Sequence, residues 1–518
     1  MNYRLGIDVG GTNTDAVIID ENNNVISKCK EVTTADISTG INKAVEDAIS
    51  KSKVNLGNIK NAMLGTTHAT NAIIERKGLS KVGVIRLSAP SGLSIPPFID
   101  WPETLLKSIQ YSYKIVKGGY EYNGIPISNP DKEEIRIALN ELIEEGIESL
   151  AISCTFSPVN NEQENMAKEI AEEMLGKDFP ITLSHEIGSL GLIERENAAI
   201  LNAAIRKLAE NAYSSFQNVL KENNLNADLF ITQNDGTLMS IEYAKRYPVL
   251  TIASGPTNSL RGAAFLSGLK DAIVVDVGGT TTDIGVLNKG FPRESSDAVN
   301  IGGVRTNFRM PDLISIGLGG GSIVNFSNNG VTVGPQSVGY KIINEALVFG
   351  GSTLTATDIA VAEGLAIIGD KSKVRHIDKH KVENVRKVIN EMVENAIDKM
   401  KITADDVDVI AVGGGSIIIP GNLRGVKNVV KPEHFEVANA IGATIAQVSG
   451  RVDGVYDVVS KGREKVIEEV KEAAREEAIK AGAEESTVEI VDIEEIPLAY
   501  LPSNAVRFKV KAVGDLKK

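Results

Sequence analysis

The chain has 518 residues, enough to bury two or three hydrophobic cores, and its 42% apolar and 24% charged content is that of a globular protein. A formal net charge of −13 argues against nucleic acid as a partner, since such binding leans on basic surface, yet loop N–H groups could still hold a small anion. The two cysteines, Cys29 and Cys154, are too few for a disulfide framework or a metal knuckle, and both sit in apolar runs, as reduced core thiols do.

Strand and helix patterns alternate along the chain, which predicts an α/β architecture. The chain opens directly into strand-like RLGIDVG where a secretory leader would stand, and no apolar run approaches a membrane span, so a cytoplasmic location is expected. Leu5–Val9 and Ala16–Ile19 read as short strands, and a turn at Glu21–Asn24 leads to a third from Val25. Thr39–Lys51 has helical spacing; Ala62–Leu64 and Lys81–Ile85 read as strands around a helix over Ala69–Lys77. From Arg86 to Pro130 comes a loop-rich insert with Pro90, Pro96, Pro97, Trp101 and Pro102, a proline density that excludes a central strand or a helix. The rhythm resumes at Ile135, Leu192–Asn223 reads as one long helix or two, and Ile273–Asp276 starts another strand. After Arg451 a charge-rich helix over Gly462–Lys480 precedes strand-like Val488–Ile493 and Val506–Val510. The expected division is a first lobe at 1–190, a second at 191–450 and a small α+β appendage at 451–518.

One octapeptide occurs twice: DVGGTNTD at Asp8–Asp15 and DVGGTTTD at Asp276–Asp283, differing only at Asn13 against Thr281. In each copy an apolar strand ends at an Asp and turns through Gly-Gly-Thr into a second strand. Paired glycines let backbone approach a bulky anion, and the threonines add hydroxyl donors. An Asp aimed at the same anion makes sense only with a divalent cation between them. One such hairpin would be an ordinary β-turn; two in one chain point to related lobes gripping one polyphosphate from opposite sides.

This arrangement resembles the actin-like ATPase fold, which implies a duplicated two-lobed α/β chain of ribonuclease H-like lobes. The fold also has an adenosine-contacting glycine motif after a late strand; DVIAVGGGSIIIP supplies Gly413, Gly414, Gly415 and Ser416. ANAIGAT at Ala438–Thr444 fits the small-residue crossing helix that follows. The resemblance implies ATP and Mg²⁺, with Asp8 and Asp276 as the catalytic, metal-side carboxylates. Gly10, Gly11, Thr12, Asn13, Gly278, Gly279, Thr280 and Thr281 would hold phosphates, while Asp15 and Asp283 support their hairpins.

Further stretches resemble the hydantoinase A/5-oxoprolinase family: GTTHATNAIIERKG at Gly65–Gly78, LSHEIGSLGLIEREN at Leu183–Asn197, TQNDGTLMS at Thr232–Ser240, ASGPTNSLRGAA at Ala253–Ala264, SIGLGGGSIV at Ser315–Val324 and VGPQSVG at Val333–Gly339. Thr66, Thr67, Asn71, His185, Glu186, Gly319, Gly320 and Gly321 are the substrate-side residues this implies. The activity implied is ATP-dependent activation of a cyclic amide or related carbonyl for ring opening, with a separate B-type partner chain; an oligomer is expected. Leu64 stands where family members carry a His, and the insert is proline-aromatic instead of arginine-rich, so the substrate is expected to be less polar than 5-oxoproline and to be held by Gly65–Asn71 and the insert, facing Gly317–Ser322. A small-molecule kinase of the same fold and a non-enzymatic ATP-dependent assembly or regulatory protein are the alternatives. A dehydratase activator would need clustered cysteines, which the chain lacks. His376 and His380 have a metal-compatible spacing but lie among Lys373, Arg375, Lys379 and Lys381, which reads as a solvated basic face.

Overall fold

A computed structural model describes residues 1–11, 13–32, 37–295, 299–308, 310–328, 330–498 and 505–517. The chain starts as an antiparallel meander of β1 (Tyr3–Val9), β2 (Asn13–Asp20) and β3 (Val25–Val32). After α1 (Ile37–Ser52), β4 (Ile59–Thr66) returns parallel to β1, and α2 (His68–Glu75) follows. Buried Leu5, Ile7, Ala62 and Leu64 place the core against this sheet. Cys29 packs there as a thiol: burial, reinforced by its bond to the Asp47 carboxylate, pushes it up to about 12.

A separate parallel sheet comes next, from β5 (Val82–Ala89), β6 (Ser112–Lys117), β7 (Ser149–Cys154) and β8 (Ile181–Leu183), paired in the order β6-β5-β7-β8 among the described residues. The helices α3 (Glu103–Ile109), α4 (Lys132–Glu144) and α5 (Glu162–Leu175) connect its strands. The stretch from Arg86 to Pro130 is therefore not simply a loop. Its prolines cluster before and after a proline-free middle that forms α3 and the edge strand β6. Pro102 itself caps α3, where a missing N–H costs nothing. Phe98, Trp101 and Leu105 are buried against α6, and Trp101 Nε1 donates to Asn197 Oδ1 at 2.8 Å.

That α6 (Leu192–Glu222) is one continuous helix of 31 residues. Its first half, through Ile200 and Ile205, packs under the four-stranded sheet, and its second half, through Tyr213 and Phe216, packs under the β1 sheet. The strands β9 (Asp228–Thr232) and β10 (Thr237–Ser240) then rejoin the first sheet, β9 parallel to β4. Among the described residues this sheet reaches nine strands, because Gln447–Tyr456, Val506–Gly514 and Glu489–Pro497 add on beyond β10. The tail strands thus continue the first sheet and cover an edge that β10 would otherwise expose. Their helix Arg463–Lys480 buries Val466, Val470, Ala474 and Ala478 on the same sheet.

After a short α7 (Ile241–Arg246) and α8 (Ser254–Ser267), the second lobe repeats the opening hairpin as β11 (Ala272–Val277) and β12 (Thr282–Asn288). Val407–Val412 lies parallel to β11, and the helix Lys379–Met400 covers the sheet with Val385, Ile389 and Val393. The expected crossing helix is present at Ala438–Thr444 and packs on α8 and on β1.

Candidate functional site

The two octapeptides fold alike. Asp8 lies opposite Asp15 across β1 and β2, and Asp276 opposite Asp283 across β11 and β12. Gly10 N–H donates to Asn13 O at 3.0 Å, and Gly278 N–H to Thr281 O at 2.9 Å. The hairpins line a cleft of about 460 Å³ that all four aspartates share. Gly10, Gly11, Asn13, Gly278, Gly279, Thr280 and Thr281 all face it; Thr12 lies outside the described residues.

Val407–Val412 delivers Gly413, Gly414 and Gly415 to the same space. Gly413 has φ +83°, and a Cβ there would stand 2.3 Å from Asp276 Oδ1, so only glycine fits. Ser416 turns inward; its Oγ is buried with no partner among the described residues. Gly320 N–H and Gly321 N–H donate to Gly278 O and Gly279 O at 3.0 and 2.8 Å. Gly319–Gly321 therefore brace the second hairpin from behind, and Gly320 reaches the cleft.

Burial disfavours the charged form of all four carboxyls. Burial pushes Asp8 up to about 7, helped by Asp15, and pushes Asp283 up to about 6, helped by Asp276; Asp15 and Asp276 are also raised by burial. Lys30 donates to both oxygens of Asp15, at 2.6 and 2.7 Å, which assigns that aspartate to its hairpin. Asp8 instead receives amides, Asn439 Nδ2 at 2.8 Å and Asn258 Nδ2 at 3.4 Å. Buried oxygen donors with one nearby lysine suit a hard divalent cation, and Asp8, Asp276 and Asp283 are the cleft aspartates to which no lysine hydrogen bond is made among the described contacts. Sequence reasoning did not find Lys30, Asn258 or Asn439; the two asparagines are marked locally only as polar residues among small ones, and Lys30 only as one charge in the alternating strand VISKCKEV. It also missed the α8 N-terminus, where Gly255 and Pro256 line the cleft and helix N–H groups favour an anion.

The substrate-side residues divide. Thr67 lines the cleft beside Gly10 and Gly11. Thr66 points to the other face of β4, its Oγ accepting from His68 N–H at 3.1 Å, and Asn71 is exposed on α2. His185 and Glu186 line a separate pocket of about 570 Å³ with Gln233, Asn307 and Arg451. There His185 Nδ1 bonds Glu164 Oε2 at 2.6 Å, and Glu186 accepts from Arg246 Nη2 at 2.6 Å. No described residue of the 86–130 insert lines the cleft.

Two facing hairpins and a third glycine turn, set on two sheets joined by crossing helices, define a two-lobed actin-like fold. The chain belongs to the hydantoinase/oxoprolinase family: the profile of the family's N-terminal region matches residues 4–175, and that of the hydantoinase/oxoprolinase domain matches residues 195–370. It is 26% identical to the acetophenone carboxylase gamma subunit of Aromatoleum aromaticum, over 70% of this chain and 53% of the relative. It is also 26% identical to the caprolactamase subunit alpha of Pseudomonas jessenii, over 70% of this chain and 54% of the relative. The chain thus spans about half the length of these curated relatives. The crystal structure of the ATP-dependent caprolactamase from Pseudomonas jessenii superposes with a TM-score of 0.77 at 19% identity, covering 99% of this chain and 88% of that one. Nucleotide-free acetone carboxylase gives 0.70 at 18%, covering 100% and 88%. Among the described residues, no helix is long and apolar enough to cross a membrane.

Proposed function

We propose that this chain is an ATP-dependent subunit that activates the carbonyl of a small molecule, a cyclic amide or related compound, by phosphorylating its oxygen. The observation that carries this reading is the shared cleft, in which two DVGG hairpins bring four aspartates together. In it, Gly10, Gly11, Gly278 and Gly279 would take the phosphates, and Gly413–Gly415 with Ile343, Phe349 and Ile417 the adenosine. A Mg²⁺ held by Asp8 and Asp276 would neutralise charge across the β- and γ-phosphates. The protein's own part is positioning: Thr67 and the α8 N-terminus stand at the first hairpin, on the side where a γ-phosphate would meet its acceptor.

An amide carbonyl is a poor electrophile. Its oxygen attacks the γ-phosphorus, the bond to the β-phosphate oxygen breaks, ADP leaves, and the amide N–H proton passes to solvent. The carbon is now electrophilic: water adds there, the C–N bond breaks with the nitrogen taking a proton and leaving as the amine, and the ring is open with an acyl phosphate at its end. A second water hydrolyses that acyl phosphate to a carboxylate and phosphate. The relatives' names support a carbonyl acceptor, since they include a caprolactamase and a 5-oxoprolinase beside carboxylases of acetone and acetophenone. Several are named as subunits, which supports a separate partner chain for the later steps.

The test is to screen lactams, imides and ketones for stimulated ADP release, with and without a B-type chain, and to analyse products. Stimulation with an opened ring or carboxylated product supports the reading. A stable phosphorylated metabolite would make the chain a kinase, and assembly driven by ATP with no small-molecule requirement would make it a structural ATPase.

A further inference from the structure

The two hairpins match in sequence but differ in what stands beside them. In the first lobe Asp8, Asp15 and Lys30 are direct register partners on β1, β2 and β3, so one rung of the sheet brings all three to the cleft. In the second lobe Asp276 and Asp283 hold the same places on β11 and β12, and the strand Leu313–Ile316 completes the rung with Ser315. A lysine in one lobe corresponds to a serine in the other.

Neutralising Asp15 does not by itself account for this lysine. Asp283 occupies the equivalent position with Ser315 as its hydrogen-bonding neighbour, burial pushing its carboxyl up to about 6. The second rung thus forms without a cation, and the hairpin geometry does not require one. Lys30 also extends past its own lobe. Its side chain is 31% exposed, and a Cβ on Gly414 would lie 4.0 Å from its Cε, so it reaches the glycine turn of the second lobe. Asp276 on the facing hairpin feels it too: burial raises that carboxyl, and Lys30 opposes the rise. Two ammonium N–H groups go to Asp15 Oδ1 and Oδ2 at 2.6 and 2.7 Å, and the third has no partner among the described residues.

The charge of the cleft makes a matching demand. Its described lining residues include the carboxyls of Asp8, Asp15, Asp276, Asp283 and Glu436, and Lys30 is the one cation among them. A polyphosphate entering that field is repelled unless positive groups meet it. A divalent ion held by Asp8 and Asp276 would answer those two carboxylates first, which leaves Lys30 as the side chain able to meet the phosphates.

We propose that Lys30 binds the nucleotide: Asp15 holds its ammonium in place, and the remaining N–H donates to a phosphate oxygen. The first lobe then grips the polyphosphate with a side-chain cation and the second lobe without one. This rests on the nucleotide reading above, which wild-type binding tests separately.

Lys30→Ser copies the Asp–Asp–Ser rung that the second lobe already tolerates. In calorimetric titrations it should weaken ADP binding at least about tenfold, both with and without Mg²⁺, as loss of a hydrogen bond between charged groups does. Asp15→Asn/Lys30→Met removes both charges and strands neither, and it should bind ADP at least about tenfold more weakly than wild type as well. Adenosine carries no phosphate, so saturation-transfer NMR should show it binding to the wild type and to both variants alike. Wild-type ADP affinity in the double variant would reduce Lys30 to the partner of Asp15 and overturn the proposal. So would an equal loss for adenosine, or a loss seen only with Mg²⁺. A wild-type chain that binds neither ADP nor Mg·ATP would overturn the nucleotide reading itself.

Discussion

Gly262 of α8 and Gly442 of the helix Ala438–Thr444 face each other where the two helices cross, and neither has room for a side chain. A Cβ on Gly262 would stand 1.8 Å from Ala438 O, and one on Gly442 1.9 Å from Asn258 O. The same crossing carries Asn258 and Asn439, the two amides on Asp8. Gly442→Ala is therefore expected to destabilise by about 1–3 kcal/mol, the usual range for overpacking, and to weaken Mg·ATP binding as the asparagines move. Urea unfolding and nucleotide titration check both; an unchanged midpoint would show that the helices part without cost.

Asp8→Asn and Asp276→Asn should each lower ATP turnover by about a hundredfold or more, because electrostatic groups at a phosphoryl-transfer site contribute on that scale. Apo stability should hold or rise, since burial opposes the charge that the amide removes. Asp15→Asn should do the reverse, leaving Lys30 without its carboxylate and costing stability more than chemistry. ADP release beside a thermal midpoint separates the two classes. Near-full turnover in both early variants would refute the two-hairpin arrangement.

Asp235 is buried between Arg451 and Lys511, whose Nζ lies 2.7 Å from its Oδ2. Burial alone would raise its pKa, but the two cations more than offset that and hold the carboxyl well below the ordinary range. A carboxyl depressed on folding stabilises the protein above its unfolded value and loses that contribution as pH falls. Asp235→Asn should cost about 3–5 kcal/mol at pH 7, leaving Arg451 and Lys511 with Glu294, 3.7 Å from Lys511 Nζ, in place of a buried carboxylate between them. The gap from wild type should narrow as pH drops below about 4, where the unfolded carboxyl takes up its proton. Urea midpoints measured across that range decide it; a gap independent of pH would remove Asp235 from the account.

Arg86 and Glu196 are both 1% exposed and paired, with Arg86 Nε 2.7 Å from Glu196 Oε2 and Ser153 Oγ donating to the same oxygen at 2.6 Å. Trp101, the only tryptophan, is fastened to the next residue of α6, Asn197. Arg86→Met should therefore cost about 3–5 kcal/mol by stranding a buried carboxylate. Trp101 emission should shift to the red at lower urea than in the wild type. Unchanged emission and midpoint would mean that Glu196 finds another partner.

Local features were legible in the sequence. Each octapeptide carries its strand, turn and aspartate within eight residues, and the glycines before Ser416 and in ANAIGAT carry their packing with them. Partnership between distant segments was not. Nothing in Thr237 announces that it pairs with Gln447, so the tail read as an appendage and not as part of the first sheet. The prolines at 90–102 drew attention from the proline-free stretch that forms α3 and β6. His185 and Glu186 were placed by motif order alone, and they lie in a pocket apart from the cleft. Leu64 showed its apolar character in sequence, but the face of β4 on which it lies depended on strand register.

The nine-stranded sheet also constrains the order in which the molecule can mature. A ribosome delivers β1 through β4 first and β9 and β10 later, but the strand that covers the outer side of β10 comes only at Gln447, after all of β11, β12 and Val407–Val412. The entire second lobe is threaded between two strands of the first. Until translation passes that point β10 presents a bare edge, and Met63 and Leu238 lack the cover of Phe508 and Val510 until the last strand follows. The lobes are therefore not consecutive modules along the chain: the first sheet can be completed only once the second lobe has been made.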